Sequence, residues 1–142
     1  MYGMLDIPAT GLAAQRTRMA VIASNIANAR TVLDENGNVN PWRRREVHFA
    51  PGGPASVSRE GRELGVRVAD ITLDDAPFRL RWDPSHPAAY KQGPNEGYVP
   101  EPNVDTVTEQ VNALEASRAY EANLAAAEAL KQMMASALRL IA

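Results

Sequence analysis

The chain of 142 residues has no cysteine and only two histidines, His48 and His86. Without thiols it can build no disulfide framework, thiolate metal site or cysteine nucleophile. With no HxxxH or HxxH spacing, an imidazole metal site has no frame either. No apolar run reaches the roughly 18 residues that span a bilayer. The N-terminus lacks the basic start and uninterrupted apolar core of a cleavable export signal, so export would have to follow a route that reads no such signal. An excess of one charge is also missing: 15 Lys and Arg against 17 Asp and Glu give a net charge of -2. That balance argues against a cationic nucleic-acid or membrane-surface protein. Gly61 and Gly65 lack the partners of a GxGxxG or P-loop phosphate cradle. What remains, 45% hydrophobic and 23% charged, is globular composition on the scale of one domain.

The two ends carry the strongest pattern. In residues 4–30, Leu5, Leu12, Met19 and Ile26 recur every seven positions and Ile22 follows Met19 by three, the apolar seam of a helix that lies along another helix. In residues 104–141, Val104, Val107, Val111 and Leu114 begin a similar seam. The later apolar positions, Tyr120, Leu124, Ala127, Met134, Leu138 and Ile141, fall on nearly the opposite side of a straight helix. One partner cannot cover both faces. A helix of about 38 residues is roughly 57 Å long, whereas a domain of this size is about 30 to 40 Å across. The excess predicts neighbours from other subunits. Ten alanines between Ala113 and Ala137 favour helix and close approach, and Glu115 with Arg118 and Glu128 with Lys131 fall at helical spacing.

Asp6 is placed to cap the first helix, with Pro8 inside its first turn. Asn25 and Asn28 share a helix face, and their amides are either solvated at a fraying end or locked to a neighbouring helix. Between the helices the pattern shortens. Asn36-Gly37 predicts a hairpin turn. Glu46 to Phe49 reads as a strand, broken by Pro51-Gly52-Gly53-Pro54. Val66, Val68, Ile71 and Leu73 read as another, with a phase slip near Ala69-Asp70 that a bulge would absorb. Phe78, Leu80 and Trp82 alternate with charged residues as a half-buried strand. From Asp83 onward, prolines at 84, 87, 94, 100 and 102 predict an irregular connector. The fold class is therefore mainly α with a small β region (α+β), the long terminal helices pairing as a coiled-coil-like core. Three regions follow: a discontinuous helical core of residues 1–30 with 104–142, a β-rich outer part at 31–82, and a connector at 83–103.

Candidate chemistry is thin. His86, three residues after Asp83, invites a proton-transfer or ligand reading, but prolines on both sides of Ser85-His86 favour a stiffened structural turn. Asp74-Asp75 and Asp105 have no support as an acid/base pair, and Asp105, with Asn103, is placed to cap the last helix. Trp42-Arg43-Arg44-Arg45 resembles a nucleic-acid contact. Strand alternation splits its arginines between two faces, however, so pairing with acidic groups on a neighbouring subunit is the preferred reading.

Four segments carry a family likeness. Residues 14–29, Ala14-Gln15-Arg16-Thr17-Arg18-Met19-Ala20-Val21-Ile22-Ala23-Ser24-Asn25-Ile26-Ala27-Asn28-Ala29, resemble the N-terminal signature of the bacterial flagellar axial proteins of rod, hook and hook-associated parts. Three later segments narrow the likeness to the proximal rod: Asp83-Pro84-Ser85-His86-Pro87; Gly97-Tyr98-Val99 with Pro102-Asn103-Val104-Asp105; and Ala116-Ser117-Arg118-Ala119-Tyr120-Glu121-Ala122-Asn123. The likeness implies a structural subunit of the rod crossing the periplasm, with no enzymatic activity and no cofactor. Its terminal helices would pair and stack in a helical tube around the export channel and transmit torque. The implied partners are copies of itself, other rod proteins, components at the rod base and, in transit, the type III export apparatus, with no nucleic acid and no membrane insertion. By position, Asn25, Asn28, Asn103, Arg118, Tyr120 and Asn123 are expected to bridge helices within or between subunits, since burial without partners costs about 1 to 3 kcal/mol each. The helices are expected to order fully only on incorporation. Thr31 to Pro41 and Tyr90 to Glu96 look elaborated relative to that family. The competing reading is a closed helical-bundle adaptor or chaperone, whose mass would saturate as concentration rises.

Overall fold

A computed structural model describes residues 2–141. One 3-10 turn, Tyr2–Leu5, runs directly into α1, Asp6–Ala27. Then follow β1 (Arg45–Pro51), the short α2 (Arg59–Leu64), β2 (Val66–Leu73), β3 (Arg79–Trp82), β4 (Tyr98–Glu101) and α3 (Thr106–Ile141). The long helices pack against each other, antiparallel: Asn25 meets Glu109, Arg18 meets Glu115, and Gly11 lies against Asn123. The fold is thus the mainly helical one with a small β region that the termini predict.

Cap chemistry differs between the helices. Asp6 does not cap α1: the helix continues the 3-10 turn, and the Asp6 carboxylate instead accepts the Ser58 N–H at 3.0 Å, tying α1 to the start of α2. Asp105 does cap α3, accepting the Val107 N–H at 3.0 Å and the Thr108 hydroxyl at 3.1 Å. Asn103 is no cap and serves a tertiary contact described below.

The β region is two separate two-stranded antiparallel sheets, β1–β2 and β3–β4. In the first, His48 pairs with Asp70 and Phe49 with Val68, so Ala69 is the extra residue of a bulge, where the phase of the sequence slips. This arm lies along α1. Its root, Arg45 opposite Leu73, sits at the C-terminal end of α1. Its far end is held near the other by the Asp6–Ser58 bond and by the Val66 N–H donated to Thr10 Oγ1 at 3.0 Å.

Three expectations need correction. The Asn36-Gly37 turn forms around the Asp34 carboxylate, with Gly37 at φ +79°, but only one bridge, Leu33 to Val39, flanks it. No hairpin extends from it, because residues on both sides turn away into loops. β3 is not half-buried: all four residues are exposed, since it pairs only with β4 and no described element covers either face. The proline-rich stretch is not structureless. It holds β4, in which Pro100 pairs with Leu80 at a sheet edge where a missing N–H is tolerated. Ala88, Ala89 and Val99 form a buried cluster there, packed against Val32 and Leu33.

A candidate assembly site at the helix pair

The face of α3 turned toward α1 starts with small and polar side chains and carries larger ones toward its far end, past the reach of α1. On α3, Glu109, Ala113, Ala116, Tyr120, Asn123, Ala127, Leu130, Met134 and Ala137 are all buried or half-buried, in alternating steps of four and three. That is an unbroken coiled-coil spacing. The seam does not drift. Val107, Val111 and Leu114 belong to a second face, opposite α1 and more than half exposed. On α1 the best-covered residues are Pro8, Gly11, Ala14, Ile22 and Asn25. Leu5, Leu12, Met19 and Ile26 stand half-covered on the shoulder of that stripe. A Cβ at Gly11 would stand 2.8 Å from Asn123 Oδ1, so the bare glycine leaves room for the Asn123 amide.

At the C-terminal end of α1 the seam closes on a buried polar cluster. Asn25, fully covered, uses all four hydrogen-bonding positions of its amide. Its Nδ2 donates to Arg45 O at 2.8 Å and to Glu109 Oε2 at 3.0 Å. Its Oδ1 accepts from Arg45 N at 3.0 Å and from Trp42 Nε1 at 3.3 Å. The side chain thereby mimics a strand residue against the free edge of β1. Glu109, only 1% exposed, accepts from Arg44 Nε at 2.9 Å and from Asn112 Nδ2 at 3.2 Å through Oε1. Arg44 also pairs with Glu46 and, at 3.4 Å, with Asp74. Burial works against the Arg44 charge, but the Glu109 hydrogen bond and charge, with help from Glu46, outweigh it and raise its pKa. Asn103 completes the cluster: its Oδ1 accepts the Arg44 N–H at 2.8 Å and its Nδ2 donates to Asp74 O at 3.1 Å.

All three arginines make contacts within the chain. Arg44 binds carboxylates of its own chain, Arg43 stacks on Phe78 and Arg45 on Trp42, each 4.4 Å from the ring centre. Of the polar residues expected to bridge, Asn25 and Asn103 join separate segments. Asn28 closes its own helix, donating to Ser24 O at 2.9 Å and accepting the Thr31 hydroxyl. Asn123 donates to Ala119 O within α3 while its side chain packs on Gly11. Arg118 is exposed and Tyr120 half-buried. Val104 is buried, Met134 half-buried, and Leu124 and Leu138 are exposed; the Ile141 side chain lies outside the described residues. Glu109 was hidden in the sequence because a glutamate near a helix start reads as solvated. Its step to Ala113 and Ala116 is the signal that places it in the seam.

His86 sits in the turn that its prolines predict, its Nδ1 accepting the Ala88 N–H at 3.1 Å. Among the described residues, no group of three or more His, Asp or Glu could hold a metal ion, and no helix is long and apolar enough to cross a membrane.

The chain is similar over almost all its length to rod proteins of the flagellar basal body. It is 40% identical to the "Flagellar basal-body rod protein FlgC" of Borreliella burgdorferi over 150 aligned positions, covering 99% of this chain and 97% of the relative. It is 38% identical to the FlgC of Bacillus subtilis, covering 98% and 97%, and 38% identical to that of Escherichia coli O6:H1, covering 99% and 97%. The chain belongs to the FlgC family. Two family descriptions agree with that placement: "Flagella basal body rod protein" matches residues 5–32, and "Flagellar basal body rod FlgEFG protein C-terminal" matches residues 95–140. The first covers α1 and the second β4 with nearly all of α3. FlgC proteins are structural components of the motility organelle and not enzymes.

Proposed function

We propose that this FlgC-family chain is a proximal rod subunit that assembles helically through α1 and α3, lines the export channel and passes torque between neighbours in the periplasm. The observation that carries this reading is the unmatched length of α3. At 36 residues the helix is about 54 Å long, against about 33 Å for the 22-residue α1. The residue sums of the contacts (25 with 109, 11 with 123) run α1 out near residue 130. Beyond it Met133, Leu138 and Leu140 are exposed, and Val107, Val111 and Leu114 are exposed on the face away from α1. Exposed apolar surface of this extent on a helix marks an interaction site.

In this reading residues 1–30 with 104–142 form the packed inner wall, with Val107, Val111, Leu114, Leu124 and Leu138 against other subunits. Residues 31–82 and 83–103 face outward. Partners are copies of the chain and other rod proteins, reached by export through the flagellum's own apparatus. Torque then spreads over many shared contacts, each worth only a few kcal/mol.

Electron cryomicroscopy of basal bodies from cells producing the chain tests the proposal. The expected result is rod density containing α1 and α3 around a central channel. A complete rod without the chain would overturn it and favour the closed adaptor.

A further inference from the structure

The loop between α1 and β1 carries the chain's one Asn-Gly pair, Asn36-Gly37. Glycine has no side chain to hinder its backbone nitrogen, which can reach the side-chain carbonyl of the asparagine before it. In that reaction the Gly37 nitrogen attacks Asn36 Cγ and gives its proton to water or hydroxide; a C–N bond forms and Nδ2 leaves as ammonia. Water then opens the resulting succinimide at either carbonyl, giving aspartate or isoaspartate with no change of oxidation state. Packing does not stand in the way: Asn36 is exposed, and nothing lies within 4 Å of the place a Gly37 Cβ would occupy.

Hydrogen bonding does. The attacking group, the Gly37 N–H, is already donated to Asp34 O at 3.0 Å. A nitrogen held as a donor gives up its proton less readily, and reaching Asn36 Cγ means breaking that bond. The Asp34 side chain fixes the turn on both sides. Its Oδ1 accepts the Asn36 N–H at 2.9 Å and the Asn38 N–H at 2.8 Å, while the Asp34 N–H donates to Asn38 O at 2.9 Å. All of these bonds lie within residues 34–38, so they do not depend on how the terminal helices are arranged.

We propose that Asn36 is a site of spontaneous deamidation whose rate is set by the Asp34 turn, slow while the turn stands and fast once it opens. Either product puts a further negative charge beside Asp34 and Glu35, and isoaspartate also adds a methylene to the backbone inside the Asp34–Asn38 pairing. Conversion therefore unlocks the loop that carries Val32 and Leu33 onto Ala88, Ala89 and Val99.

Full-length protein aged in mildly alkaline buffer and mapped by peptide mass spectrometry tests this, with each converted position localised by fragmentation. Conversion at Asn36 is expected to be at least about fivefold faster in D34A than in the parent, the factor that loss of one ordinary hydrogen bond gives. D34N keeps an Oδ1 acceptor for the same N–H groups while removing the charge, and is expected within about twofold of the parent. In urea, where the turn is gone, the parent should convert at least about fivefold faster than the folded protein. Asn38, also exposed but followed by the branched Val39, is the internal reference and should convert more slowly throughout. A D34A rate within about twofold of the parent, a D34N rate equal to that of D34A, or no acceleration in urea would each overturn the proposal. So would faster conversion at Asn38 than at Asn36.

Discussion

The two ends of the helix pair are built on opposite terms. Where α1 finishes, every donor and acceptor of Asn25 is used inside the chain and Glu109 is sealed against Arg44. Where α3 finishes, Leu140 is 89% exposed and Met133 and Leu138 are more than half exposed. The first end is complete in one subunit. The second exposes apolar side chains that no described residue covers. Buried polar groups fix one arrangement because any other leaves them unpaired, whereas apolar surface adapts to whatever covers it. In the proposed rod reading, such a subunit holds its own shape at one end and offers the other for assembly.

Changes at the polar end should cost the most. Asn25→Ala strands the Arg45 N–H and carbonyl, the Trp42 N–H and one bond of Glu109; the expected loss is about 3 kcal/mol, read as a lower urea midpoint with unchanged slope. A midpoint within error of the parent would mean that the cluster is solvated in the free protein.

Gly11→Val probes the middle of the pair, where the new side chain meets Asn123. It should lower stability by about 1 to 3 kcal/mol, and Asn123→Ala in the same chain should recover part of the loss. Additive losses in a denaturation series would show that the two positions do not touch.

Acid should act more gently, and through the caps and loops. Asp105 is held below the usual carboxylate value by the Val107 N–H and the Thr108 hydroxyl, and Asp6 by the Ser58 hydroxyl and N–H. Asp34 is lowered chiefly by the Asn38 N–H and Asp83 by the Ser85 hydroxyl. A depressed folded pKa gives stability that is full above the unfolded value of 3.8 and lost as pH falls through the folded value. The contribution of these groups is therefore constant above about pH 5 and declines below about pH 4. Asp6→Asn with Asp105→Asn should flatten that decline in thermal melts taken across the range. An unchanged acid limb would assign it to other carboxylates.

The smallest effect on folding belongs to the apolar end. Leu138→Asp with Leu140→Asp should leave the free protein within about 0.5 kcal/mol of the parent, since both side chains already face solvent. The same variant should fail to enter basal bodies. Normal incorporation would remove the α3 extension from the assembly surface.

Much of this was legible in advance, and the exceptions share a cause. The terminal helices, the Asp105 cap and the bulge at Ala69 follow from periodicity and local hydrogen-bonding chemistry. Leu5, Leu12, Met19 and Ile26 stand out by their size, yet the most buried positions of α1 include Gly11, Ala14 and Asn25, which carry no apolar-periodicity signal. α2 is only six residues long and rests on the Ser58 cap and on Gly61 packing against Asp6 and Ser56, neither of which has a periodic signal. β4 was masked by Pro100 and by Pro102 just past its end; Pro100 is tolerated because β3 is the strand's one partner.

The sequence by itself determined that this chain is two long helices around a short-stranded middle, that cysteine chemistry is absent, and that it shares the FlgC pattern from end to end. Those properties reside in local spacing and composition. Tertiary structure alone decided that Glu109 is buried, that Arg44 turns inward to meet it, and that Val107, Val111 and Leu114 are left outside. The reason is distance along the chain. Arg44 and Glu109 are 65 residues apart, and no local preference can say which charge will stand beside which carboxylate once the chain has closed on itself.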